Sequence, residues 1–503
     1  MDIEGALRRY ILDELLLLIG TRIRQLYDDQ KPIAEETLEQ QHGLLVRRAP
    51  VTLTAWQLSD LAYLAILHTH DFASRMPSRE DLVELMNLFH ERDGRVGSAW
   101  FEGLSGEDAT MGFTLGFSQK QFWYQELHRI RAEFNRQVEI LEVLSPCAFP
   151  NLGLDSICQE ATGFDLRTFR KLAFALYAVG GRNTDLTHFS FDRRSGKLDE
   201  AITTANVHRL MDFYTADYRQ IRQSPLAENA FFAWPIVRTA TNRRIAVNEY
   251  FLARKIADGP YWILRDHFMS LPNRSDQETF VRHFGKLFDL YFEELLKYYF
   301  PRDSFRRVAE IPGRRNADWI LQYHDWTFII ELKSAFIPLA VRRNYPDPAA
   351  IRAYLPKLSD GIRQLDATAA DIGDHDHVLK ILVHYEPLFV SDGVLRPLAI
   401  RDCSKELVSQ ERVFFSDLED IESLFQVMYD APTVAQAILR GKLDLETRDD
   451  GAARGREFHQ VIQRNTEPEV NRFVHHHIDH YSKYIFPDGA RGGELNDAEI
   501  AGT

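Results

Sequence analysis

The sixteen residues Asp318-Trp-Ile-Leu-Gln-Tyr-His-Asp-Trp-Thr-Phe-Ile-Ile-Glu-Leu-Lys333 decide how this 503-residue chain is read. Two apolar runs, Asp318–Gln322 and Thr327–Leu332, flank the turn Tyr323-His324-Asp325-Trp326. With Gln322 opposite Thr327 they make an antiparallel hairpin. Stepping outward, Ile320 faces Ile329 and Asp318 faces Glu331. Directly opposed side chains have Cβ atoms about 5 Å apart, where like charges destabilise. A divalent cation between two such carboxylates removes the conflict. Period-2 alternation sets Lys333 on the face of Glu331, while Phe328, Ile330 and Leu332 anchor the opposite face in a core. A surface hairpin with an ordinary Glu–Lys pair is the plain alternative.

Two carboxylates and one ammonium at a strand end suit phosphodiester hydrolysis. Mg²⁺ takes oxygen ligands and keeps several waters. It polarises a scissile phosphate and lowers the pKa of an attacking water. A lysine beside it orients that water and offsets negative charge that develops in the transition state.

Around the hairpin the pattern is α/β. Ser275, with Glu278 three residues on, predicts an N-cap for a helix whose apolar positions run from Phe280 to Phe300. Pro301 stops it. Strands are expected at Phe305–Ile311, Val378–Tyr385 and Arg412–Phe415. Helices are expected at Ala349–Ala370, interrupted near Pro356, and at Asp417–Tyr429. Helix, several strands, helix, strand is the order of an α/β domain.

This stretch resembles the PD-(D/E)xK nuclease superfamily, which includes many restriction enzymes and RecB-type nucleases. The matching residues are Glu310-Ile-Pro-Gly-Arg-Arg-Asn-Ala-Asp318 and Glu331-Leu-Lys333, with Ala317 where the family has proline. The resemblance implies that Asp318 and Glu331 bind metal, that the Leu332 carbonyl completes the protein ligands, and that Lys333 is catalytic. Gly285-Lys-Leu-Phe288-Asp289 matches the family's acidic position on the preceding helix, so Asp289 joins the set, with Glu293 one turn on as its substitute. Gln364, in Gly-Ile-Arg-Gln-Leu, matches a glutamine on the helix after the lysine strand. The likeness covers about residues 275–430. It implies a mixed central sheet, Mg²⁺ (with Mn²⁺ as a substitute) as cofactor, and DNA as the substrate of an endonuclease. Bacterial proteins that join a helical region to such a nuclease often act in defence against phage or foreign DNA. There the extra region binds a regulatory protein, forms a homo-oligomer or restrains the nuclease. An RNA or single-strand nuclease, and a non-catalytic scaffold on the same fold, are the alternatives.

The rest of the chain supplies context. Net charge is −14, which disfavours a protein that coats DNA. Residues 302–363 nevertheless hold eleven Lys and Arg against seven Asp and Glu, a basic island in an acidic chain. Arg314 and Arg315 before the catalytic strand, and Arg342 and Arg343 after it, are candidate phosphate contacts. Tyr345, Trp319 and Trp326 read as packing residues. The three cysteines, 147, 158 and 403, read as buried thiols in a reducing cytoplasm. The run His475-His476-His477 with His480 places two imidazoles at i, i+4 but lacks the glutamate of zinc proteases. A helical surface or interface suits it better, and His68 and His70 likewise. There is no P-loop and no serine-nucleophile motif. Apolar Tyr10–Gly20 is broken by Asp13 and Glu14, so it reads as an amphipathic helix without a membrane span.

The expected architecture is α+β and multidomain. Residues 1–225 form a helical region, with helices within Leu53–His70, Arg79–His90, Gln121–Val143 and Leu166–Val179 and a Gly-rich connection at Gly94–Gly116. Residues 226–274 are a connector, with a hairpin around Thr241-Asn242 and a helix at Glu249–Ala257. Residues 275–430 are the restriction-endonuclease-like domain, and 431–503 a helical extension ending in a loose tail from Pro487.

Overall fold

A computed structural model describes residues 2–29, 33–36, 51–70, 73–104, 127–189, 198–309, 311–373, 377–388, 413–447 and 471–485, with scattered positions between 109 and 121. Glu310, Cys403, Arg412 and the tail from Pro487 lie outside the described residues.

The N-terminal region is helical, as its periodicity predicts. It includes α1 (Leu12–Asp28), α2 (Ala55–His68), α3 (Arg79–Glu102), α4 (Leu127–Val138) and α5 (Leu166–Gly180). Beside them lies a short hairpin of β1 (Ile33–Glu36) and β2 (Val51–Thr54). Helix α3 starts on a capping box in which Ser78 and Asp81 satisfy each other's backbone N–H groups. It runs to Glu102 through Gly94 and Gly97, so the expected connection there is helix at its start. The reason is tertiary: a Cβ at Gly97 would lie 3.3 Å from the Tyr345 ring, so the glycine lets that ring seat on the helix.

The connector gains a strand. β4 (Ile236–Arg238) and β5 (Arg244–Ala246) form the expected antiparallel hairpin, with Asn242 turning at φ 63°. β3 (Thr215–Asp217) then adds to β4 in parallel. Asn248 caps α6 (Glu249–Ala257), which leads into α7 (Gly259–Met269).

The expected cap at Ser275 is not formed. Ser275 sits inside a short helix, Arg274–Gln277, and the long α8 begins only at Thr279 and ends at Tyr299. Burial of its apolar face fixes α8 where the cap does not, from Phe280, Phe284 and Phe288 to Phe292 and Leu296. Five strands follow: β6 (Phe305–Arg307), β7 (Trp319–Tyr323), β8 (Trp326–Lys333), β9 (Val378–His384) and β10 (Val413–Asp417). They lie in the order β10-β9-β8-β7-β6. The first three are antiparallel neighbours, and β9 and β10 run parallel to β8. The sheet is therefore mixed.

α9 (Pro348–Ile372) makes the crossover from β8 to β9 and is unbroken at Pro356, contrary to expectation. Proline removes one helical hydrogen bond. The buried row Ile351, Leu355, Leu358, Ile362 and Leu365 holds the helix down on both sides of it. α10 (Leu418–Asp430) follows β10, capped by Asp417.

The two sheet faces have different partners. Phe328, Ile330, Leu379 and Ile381 join α8, α10 and the N-terminal helices in one continuous core. Ile329 and Leu382, on the other face, pack under α9 in a second, smaller core. The helical region and the sheet thus share a hydrophobic interior. Buried polar contacts cross the same boundary, among them Arg136 with Glu422 and Gln137 with Tyr385. No helix among the described residues is long and apolar enough to cross a membrane.

Candidate active site

The hairpin adopts the register read from its pattern. Ile320 pairs with Ile329 and Gln322 with Thr327, and Tyr323–Trp326 is the last pair before the tip. His324 sits at the tip with φ 54°. Asp318 falls one residue before β7, yet its amide still donates to the Ile330 carbonyl at 3.0 Å. That bond brings its side chain beside Glu331, where the Leu332 amide donates to Asp318 Oδ2 at 2.8 Å. A strand residue's N–H and C=O point to the same side. The Leu332 carbonyl therefore faces the Asp318 side, whereas the Lys333 carbonyl faces β9 and accepts from the Tyr385 amide.

Lys333 Nζ donates to Glu331 Oε1 and, at 3.0 Å, to Gln364 Oε1 on α9. Gln364 Nε2 in turn donates to the Asn316 carbonyl at 3.1 Å. One turn further along α9, Thr368 Oγ1 accepts the Ala317 amide at 2.9 Å and fixes the residue before the aspartate. One turn earlier, a Cβ at Gly361 would stand 2.9 Å from Lys333 Cε and 2.4 Å from a Leu382 methyl, so only glycine leaves room for the lysine. Positions 361, 364 and 368 form one face of α9 by helical spacing. Only Gln364 was found from the sequence. The i−3 and i+4 neighbours of that glutamine carried the signal for the other two.

Burial shapes the electrostatics. Glu331 is 2% exposed, while Asp318 is half-buried. Burial first, and the nearby Asp318 carboxylate second, push the Glu331 carboxyl up to about 8. Asp318 is also raised, by burial and by the charge of Asp289, against the opposing pull of the Leu332 amide and Lys333. Glu331 Oε2 is buried with no hydrogen-bond partner among the described residues. A buried carboxylate oxygen without a donor is costly. Near neutral pH the pair is satisfied by one shared proton or by a cation. Asp318, Glu331 and the Leu332 carbonyl are all oxygen donors on one side of the strand end. The donor set and the orphaned oxygen fit Mg²⁺ or Mn²⁺.

Asp289 borders the pair without entering it. Its Oδ1 accepts from Trp319 Nε1 at 2.9 Å, and Arg307 pairs with its other oxygen. Glu293, the substitute, is held by Lys297 at 2.9 Å and Arg302 at 3.6 Å.

The four arginines divide. Arg314 is tied to α9 through Asp371 at 2.9 Å and the Ala367 carbonyl. Arg315 is 80% exposed beside it. Arg342 is corrected: it is buried and ion-paired with Glu386, so it does not face solvent as a phosphate contact must. Arg343 donates to the Pro225 carbonyl at 3.2 Å, which directs it to the helical region.

The aromatic residues pack, as read. Trp326 is buried, Trp319 bonds Asp289, and the Tyr345 hydroxyl donates to Asp93. Cys158 is buried, but Cys147 is exposed, correcting the expectation of three buried thiols. Of the C-terminal histidines, His477 is buried in an interface, while His476 and His480 are exposed on the helix surface. On the C-terminal helix α11 (His476–Ile485), His477 bonds Glu139 at 2.6 Å, and Glu139, His476 and His477 bring their ligand atoms within 4.8 Å of one another.

No family model, curated protein or solved structure matches this chain, so the site's own geometry carries the functional argument.

Proposed function

We propose that Asp318, Glu331 and Lys333 are the catalytic set of a divalent-metal-dependent nuclease that hydrolyses phosphodiester bonds, with DNA as the substrate. The observation that carries this reading is the facing carboxylate pair, with Glu331 Oε2 buried and lacking a donor among the described residues while Lys333 stands beside it. Asp318, Glu331 and the Leu332 carbonyl would hold the metal. When bound, it would supply a Lewis acid for the phosphate and a lowered pKa for water.

The chain's own groups do the rest. Gln364 fixes the Lys333 ammonium through a 3.0 Å bond and is itself held by the Asn316 carbonyl. Lys333 Nζ stands at the strand end, where it orients a nucleophilic water and offsets charge gathering on the phosphate. Asp289, braced by Trp319 and Arg307, adds negative potential that favours cation binding. Arg315 offers an exposed guanidinium for a flanking phosphate.

Purified protein with supercoiled plasmid and Mg²⁺ tests the proposal, with single-stranded DNA and RNA as parallel arms. Cleavage is expected, and it should be lost in Asp318→Ala and Lys333→Ala. Equal cleavage by either variant and the wild type refutes the assignment.

A further inference from the structure

A cavity of about 500 Å³ opens where α6 meets α7, and its wall includes none of Asp318, Glu331 or Lys333. Its size falls in the range of small-molecule sites. Aromatic rings line the wall, from Tyr214, Phe232, Trp234 and Trp262, and four cations stand among them, Arg254, Lys255, Arg265 and Arg342.

Arg254, Arg265 and Arg342 each have a carboxylate partner, whereas Lys255 is not arranged as an ordinary ion pair. The Lys255 side chain is buried, and Nζ donates to the Phe232 carbonyl while standing 5.1 Å from the Tyr214 ring centroid. No carboxylate reaches it at ion-pair distance among the described residues. An ammonium has three donors, and a buried one with a single carbonyl is under-compensated. Burial accordingly pushes this amine down to about 8, against the pull of Asp258 and Asp266. Those two carboxylates also line the cavity. Asp258 is taken up by Arg254 and by Trp262 Nε1 at 3.1 Å, and Asp266 lies 3.5 Å from Arg265.

Two further features belong to residues of the same wall. The Tyr214 hydroxyl is buried without a hydrogen-bond partner among the described residues. It is seated against Gly259, where a Cβ would intrude to 2.9 Å. The Arg265 guanidinium lies 5.2 Å over the Trp262 ring, forming a flat cationic shelf. Aromatic walls and a stacked guanidinium favour a planar ring. An uncompensated ammonium and an unused hydroxyl favour an anionic group.

We propose that this cavity binds a small planar aromatic anion of the nucleotide class, its ring against Trp262 and its anionic group at Lys255 and Tyr214. Leu339 and Arg342, from the segment that follows β8, contribute to the same wall. The binding claim does not depend on the nuclease reading, because its readout involves no hydrolysis.

The test is a fluorescence titration of the full chain with anilinonaphthalene sulfonate, itself a planar aromatic anion, displaced by 5′-AMP or 5′-GMP. Adenosine and inorganic phosphate serve as half-ligands. A nucleotide is expected to displace the probe at concentrations about tenfold below either half-ligand. Lys255→Met should weaken displacement about tenfold, while Lys255→Arg keeps the charge and most of the affinity. Near-UV circular dichroism separates lost binding from lost folding. If Lys255→Met does not fold, Trp262→Leu tests the ring wall with the same readout. Failure of both nucleotides to displace the probe overturns the proposal. So does displacement that folded Lys255→Met and Trp262→Leu leave unchanged.

Discussion

Two of the buried charge clusters among the described residues are built on opposite principles. Between the helical region and the sheet, carboxylates meet guanidinium forks. Arg136 pairs with Glu422 at 2.8 Å, Arg129 with Asp417 at 2.6 Å, and Arg254 with both Glu133 and Asp258. Arg136 and Arg254 meet Glu422 and Glu133 in fork geometry, which suits a structural set. At the strand end the ratio is reversed. Two carboxylates face one lysine, and one buried oxygen has no donor among the described residues. The first cluster gives each of its carboxylates a guanidinium, whereas the second sets two facing carboxylates beside one amine among the described residues. That difference is the physical basis for reading one as a joint and the other as a catalytic centre.

The largest effect that would break the comparison is on activity. Asp318→Ala should reduce plasmid cleavage roughly a thousandfold, the loss expected when several kcal/mol of transition-state stabilisation disappears. Its unfolding transition should stay near that of the wild type. Next comes the joint: Arg136→Met strands Glu422 in the interior and should cost about 3–5 kcal/mol by denaturant unfolding. A cost below about 1 kcal/mol would remove the contrast between the clusters. Gln364→Leu should lower cleavage about 10- to 100-fold, as loss of a supporting hydrogen bond does, with little change in stability.

The smallest effect concerns pH. The Glu331 carboxyl lies at about 8 in the fold, above its ordinary value of 4.5. Between those values the folded chain keeps a proton that the unfolded chain has released. The group's contribution to stability is therefore full below 4.5 and is lost as pH rises toward 8. Glu133 and Glu419 are raised in the same sense, so the wild-type slope is a sum. Glu331→Gln isolates one part. Its unfolding free energy should fall less steeply across that window, and an unaltered slope would show that Glu331 ionises normally.

Much of this was legible before the structure because the hairpin obeys local rules. Period 2 and a short turn fix the register, and the register alone places Asp318 opposite Glu331. The long helices were legible for the same reason, since α6 begins at the residue its sequence suggests. What failed were places where tertiary packing overrode a local signal. Ser275 has the sequence of a cap, yet apolar burial starts α8 four residues later. Pro356 has the sequence of a break, yet α9 runs unbroken through it over a buried apolar row. Arg342 sits in a basic run that reads as solvated, and only the fold reveals Glu386 facing it. The polar joint was not legible, because Arg129 and Arg136 stand 288 and 286 residues from their partners and Arg254 stands 121 from Glu133.

The most direct test of the central claim is calorimetric titration of the full chain with Mn²⁺ near pH 7, repeated in buffers of different protonation enthalpy. The account predicts that Mn²⁺ binds and that protons are released, because the cation replaces the proton held between Asp318 and Glu331. Both signals should vanish in Glu331→Ala. Binding of equal strength in that variant, or no binding by the wild type, would contradict it.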